Sequence, residues 1–229
     1  LDEFYRTAIW LAGRTPLWWW VPVNEEARHD EFARALLNKG LIGAGEVIDL
    51  GHLAHIPSGE FLGAGLWQLF KGIDSPYKSL LKLLLIEVYA SEHPQVHCLS
   101  LGFKQAVYAD QLNLDELDPY VVVYRRIEHY LKACGDLRRL ELVRRSLYLK
   151  VNCNLTGSAA QRGVPWQRQL LERLTKEWGW DECLLASLDN RSQWQVEQAC
   201  HERLALAREL SVSYRLLSRF AWIEQAAVM

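Results

Sequence analysis

The sequence predicts an all-α fold, a helical domain with one short N-terminal strand, and three observations carry that expectation. Apolar residues recur at steps of three and four along most of the 229 residues. Stop and cap signals punctuate those stretches, among them Gly40, Gly72, and Gly179 followed by Asp181. Only Leu17-Trp-Trp-Trp-Val21, bounded by Pro16 and Pro22, reads as a strand.

The elements follow in order. Residues 1–12 are already mid-helix in character, Leu1 stands where an initiator would, and the only methionine is Met229. A piece of a longer chain is the expectation. After the strand, Asn24-Glu-Glu caps a helix running to about Lys39 and ended by Gly40. Ser58 opens the next helix, in which Phe61, Leu62, Gly65, Leu66 and Leu69 keep helical spacing and Gly72 is the stop. Gly63 and Gly65 each lower helix propensity by up to ~1 kcal/mol relative to Ala, so close packing is the expected reason for both. Asp74 or Ser75 caps the helix after it, with Pro76 at the first position, where a missing N–H is harmless. From Tyr77 to about Ala90 that helix is nearly all apolar and should be buried on most sides. Further helices are expected near 98–112, 119–134, 137–155, 164–178, 181–188 and 192–224, with loops at 90–97, 113–119 and 157–165. Two lobes meeting near 113–118 are one possible division.

Half of the residues are hydrophobic, enough for one large or two small domains with real cores. Twenty-six Lys and Arg against 28 Asp and Glu leave a net charge of −2, so no global field favours nucleic acid. No run of ~18 apolar residues and no signal peptide is visible, which speaks against a membrane span or secretion. Cys98, Cys134, Cys153, Cys183 and Cys200 are scattered without a C-x-x-C, as reduced thiols of a cytoplasmic protein would be.

The most specific motif is Glu60-Phe-Leu-Gly-Ala-Gly-Leu-Trp-Gln-Leu-Phe-Lys71. It resembles the bacterial class I adenylate cyclase signature E-Y-F-G-[SA]-[SA]-L-W-x-L-Y-K. Glu60, Gly63, Ala64, Leu66, Trp67, Leu69 and Lys71 fit it, and Phe61, Leu62, Gly65 and Phe70 depart from it. Leu117-Asp-Pro-Tyr120, Trp178-Gly-Trp-Asp-Glu182, Leu188-Asp-Asn-Arg191 and Ser213-Tyr-Arg215 also look like family segments.

The resemblance implies conversion of ATP to 3′,5′-cyclic AMP and pyrophosphate, by attack of the ribose 3′-hydroxyl on the α-phosphate. It also implies a nucleotidyltransferase-type core upstream, holding Mg2+ on an Asp-x-Asp pair, and a regulatory region downstream. No Asp-x-Asp follows Gly157-Ser158, so those carboxylates are expected outside this chain and no catalytic or metal residue is assigned within it. Residues 1–23 would be the trailing edge of that core and 24–229 the helical domain, forming a wall of the nucleotide cleft.

Ser75, Lys78 and Lys82 are the candidate substrate-binding residues. The two lysines lie four apart in the first turns of the apolar helix, the wrong end for cations unless an anion is bound there. The resemblance turns that anion into the triphosphate of ATP. On their own, lysines so placed can instead snorkel to solvent.

Other clusters favour structural roles. Arg125-Arg126, Arg138-Arg139 and Arg144-Arg145, interspersed with Glu128, Asp136 and Glu141, read as a salt-bridged helix surface. His93 and His97 would need a helix that Pro94 disfavours. Trp18–Trp20 suit a packed strand better than an adenine platform, and Asp115, Glu116 and Asp118 suit a solvated turn. The alternative to a cyclase segment is a helical protein-interaction module without nucleotide binding.

Overall fold

A computed structural model of the chain describes residues 13–52, 56–111, 117–156 and 165–228, the side chains of 225, 227 and 228 excepted. The expected helix over 1–12, the Gly157-Ser158 turn, Asp115 and Glu116 lie outside the described residues. Nine α-helices and one two-stranded sheet appear among those described. The chain divides into two compact units, one of residues 1–57 and 94–112, the other of residues 58–93 and 113–229.

In the first unit, β1 (Thr15–Pro16) pairs in parallel with β2 (Val47–Ile48). The strand expected over 17–21 is not there. Leu17–Trp20 winds as a 3-10 turn directly after β1, and Leu17 and Val21 turn into a small core with Ala33, Ile42 and Val47. The reason is where the backbone carbonyls go. In α4 (Leu99–Tyr108), the Lys104 ammonium donates to the Trp18 carbonyl and the Tyr108 hydroxyl donates to that of Trp19. Side chains thus occupy the acceptors that a neighbouring strand would need. The Trp18 indole donates to both Glu26 carboxylate oxygens at 2.9 and 3.1 Å, and Lys104 lies 4.0 Å over its ring. Lys104 is fully buried; burial pulls its ammonium below the ordinary lysine range, and Glu26 works against that pull. The segment after Pro22 begins as a 3-10 turn, Val23–Arg28, and becomes α1 only over His29–Asn38. α4 stops at Tyr108 because Asp110 takes a positive φ of 54°.

The second unit is built around α3 (Pro76–Glu92), which packs against α2 (Ser58–Lys71), α5 (Pro119–Ala133), α6 (Leu137–Val151) and α9 (Val196–Val228). Leu80, Leu81, Leu83 and Leu84 are completely buried, each contributing about 1.5–3 kcal/mol relative to an exposed side chain. The expectation of a helix buried on most sides holds. α5 starts where Asp118 accepts from the Tyr120 and Val121 N–H groups, at 2.9 and 3.1 Å. α6 ends at Asn152 in the left-handed conformation, earlier than expected, because Asp189 captures the next segment. The Asp189 carboxylate accepts from Tyr148 Oη, the Leu155 and Thr156 N–H groups and Thr156 Oγ1. Gly179, at φ 72°, separates α7 (Pro165–Trp178) from α8 (Glu182–Asp189), whose cap Asp181 accepts from Leu184 N at 2.8 Å.

Among the paired arginines, Arg125, Arg126, Arg144 and Arg145 reach Glu177, Glu92, Glu141 and Glu202, as a salt-bridged surface should. Arg139 instead turns inward. It holds Glu87 of α3 through two hydrogen bonds of 2.9 and 2.7 Å, and also reaches Glu209 and Ser213 of α9.

Candidate functional site

The signature helix α2 presents two different faces. Phe61 and Gly65 point into the unit, where a β-carbon on Gly65 would stand 2.8 Å from Leu217 Cδ1 of α9. Gly65 therefore permits close helix approach. Gly63 does not, since nothing lies within 4 Å of a β-carbon placed there. The opposite face carries Leu66, Trp67 and Phe70, about half exposed, with the last two rings stacked 5.7 Å apart and Lys71 over Trp67 at 5.1 Å.

Gly72 makes the turn into α3, bonding back to the Gln68 and Leu69 carbonyls. Ser75 occupies the N-cap position before Pro76 but makes no side-chain capping bond, and it is exposed. Its backbone carbonyl accepts from Ser79 N at 3.0 Å. Lys78 is half-buried and Lys82 exposed, and neither has an ion-pair partner among the described residues.

Beside this helix start opens a groove of about 690 Å³, with Pro76, Tyr77, Trp194, Arg191, Glu202 and Arg203 in its walls. Glu202 is already paired with Arg145 at 3.1 Å. Burial pushes the Tyr77 phenol up, and the nearby Glu202 carboxylate adds to it. Arg191 and Arg203 have no ion-pair partner among the described residues, so they are the groove's available cations. Ser75, Lys78 and Lys82 share the helix start but do not line this groove. Arg191 stood in a segment that resembles the family, yet nothing in the sequence joined it to Tyr77 or Arg203.

The described residues bring together no oxygen-rich ligand set of the kind magnesium takes. Among those described, the one group of three or more possible ligands is His29, Asp30 and His52, which is mostly imidazole nitrogen. His93 packs between Phe61 and Phe220, 3.5 Å from Glu224, and belongs to no such group.

Residues 56–228 match the family described as adenylate cyclase, class-I, second domain, and residues 1–19 match the adenylate cyclase NT domain. The chain belongs to the class-I adenylate cyclases. It is 44% identical over 221 residues to the adenylate cyclase of Escherichia coli K12 and 43% identical to that of Salmonella typhimurium LT2. Identity to the Proteus mirabilis adenylate cyclase is 42% over 223 residues. Each alignment takes in 96% of this chain and 26% of the relative, so the chain spans about a quarter of their length. No solved structure matches significantly.

Proposed function

We propose that this chain is the helical segment of an enzyme converting ATP to 3′,5′-cyclic AMP and pyrophosphate, forming a wall of the nucleotide cleft. The family match over residues 56–228, signature helix included, carries the reading. The magnesium-binding carboxylates are assigned to the catalytic core of the same polypeptide. Within this chain, Ser75, Lys78 and Lys82 offer a hydroxyl and two ammonium groups, with the first backbone N–H groups of α3, to the β- and γ-phosphates. The five cysteines form no disulfide, which fits a cytoplasmic setting. Among the described residues, no helix is long and apolar enough to cross a membrane.

A second reading keeps the substrate but moves the phosphates to Arg191 and Arg203, because those cations line the groove beside the same helix start. The two readings separate in the intact enzyme. Lys78→Ala and Lys82→Ala should each lower kcat/KM about ten- to a hundred-fold if each removes a charge-assisted hydrogen bond of roughly 1.5–3 kcal/mol. Full efficiency in both, with loss in Arg191→Ala and Arg203→Ala, would move the site to the groove. Full efficiency in all four would end the phosphate role of this helix start. Circular dichroism of each variant separates lost binding from lost folding.

A further inference from the structure

Away from the groove, in the first unit, His29 and Asp30 at the start of α1 meet His52 from the segment that follows β2. Asp30 Oδ1 lies 3.2 Å from His29 Nδ1 and 3.9 Å from His52 Nε2, and one ligand atom from each residue lies within 4.8 Å of the others. The two imidazole rings stack 5.0 Å apart, inclined by 30°. Ligands around a tetrahedral zinc, with bonds of about 2.0–2.2 Å, stand roughly 3.3 Å from one another. The His29–Asp30 edge already matches that spacing, and the other edges, none longer than 4.8 Å, would have to shorten to close the triad around an ion.

Internal hydrogen bonding satisfies only one of the two His29 ring nitrogens, Nδ1, which lies 3.2 Å from Asp30 Oδ1. The His29 side chain is completely buried, and its Nε2 has no hydrogen-bond partner. A histidine kept in a core for packing alone ordinarily satisfies both ring nitrogens.

We infer that His29, Asp30 and His52 form a binding site for one zinc-class divalent transition ion. Two imidazole nitrogens and a single carboxylate oxygen select such an ion over magnesium or calcium, which take oxygen ligands. Three protein ligands leave one tetrahedral position to water. The ion would fasten the segment after β2 to α1, in the unit that contains neither the groove nor the signature helix.

Metal-free chain, with its exposed Cys134, Cys183 and Cys200 alkylated, is titrated with Co2+ and then with Zn2+ in millimolar Mg2+. One equivalent of Co2+ should give the visible bands of a four- or five-coordinate nitrogen and oxygen site, and Zn2+ should bleach them. His52→Ala and Asp30→Asn change exposed residues that the fold does not bury, and each should weaken binding at least tenfold. No stoichiometric binding by the parent chain, displacement by Mg2+, or unchanged affinity in both variants would overturn the site.

Discussion

Gly63 and Gly65 sit two residues apart in one helix, yet an added methyl group meets open space at one and a neighbouring helix at the other. Gly63→Ala should raise stability by about 0.4–1 kcal/mol, since it only narrows the freedom of the unfolded chain. Gly65→Ala gains the same term but drives a methyl into the fully buried Leu217, an overpacking of about 1–3 kcal/mol. Urea midpoints should rank Gly63→Ala above the parent, with Gly65→Ala below Gly63→Ala. The sequence treated the two glycines alike, because helix periodicity does not say which side a neighbour will occupy. Ser75, Pro76, Asp181 and Gly179 were legible, for caps and stops are read within a few residues. The groove cations Arg191 and Arg203 were not, because Tyr77 of their wall lies more than 100 residues away and only tertiary packing joins them.

At the level of elements, three helices are tied by one partly buried charge. Arg139 of α6 bonds Glu87 of α3 and Glu209 of α9, and its partner Glu87 also accepts from Tyr130 of α5. Glu87→Ala should destabilise the unit by up to about 3 kcal/mol, by leaving a partly buried guanidinium with Glu209 as its one carboxylate partner among the described residues. Glu87→Met with Arg139→Leu should recover most of that loss, since apolar groups of similar volume replace both charges. Thermal or urea denaturation of the single and double variants checks the ordering.

A neighbouring carboxylate sets acid sensitivity. Burial would push Glu128 up, but hydrogen bonds from Tyr124, Arg125 and Lys132 bring it down from 4.5 to about 2. Its stabilisation is complete above the unfolded value and is lost as pH falls from about 4.5 towards 2. Glu128→Gln should therefore flatten the stability profile across that window, measured by denaturation at stepped pH. Helix positions were largely visible in advance because apolar stripes and caps are local. The Leu17–Trp20 turn was not, since its conformation depends on Lys104 and Tyr108, more than 80 residues away.

For the molecule as a whole, the two units differ in the size of their cores. Among the described residues, the first rests on five buried apolar residues around Leu17 and Ala33, whereas the second gathers twenty around α3. Amides of α1 should exchange with deuterium well before those of α3, and mass spectrometry of peptic peptides would read the difference. The chain by itself should make no cyclic AMP from ATP and magnesium, and product above background would show that it holds its own catalytic carboxylates.

The placement of α3 in the chain has a consequence for biosynthesis. Its leucines are complete on the ribosome at Glu92, while α9, which packs along the same helix, begins only at Val196. At ~5–20 residues per second, that interval is roughly 5–20 s. During it, a helix whose Leu80, Leu81, Leu83 and Leu84 end up completely buried waits with one of its partners unmade. A pause codon, a cold shock or a stop within α9 would lengthen the wait or make it permanent, leaving nascent chains in need of a chaperone or a protease.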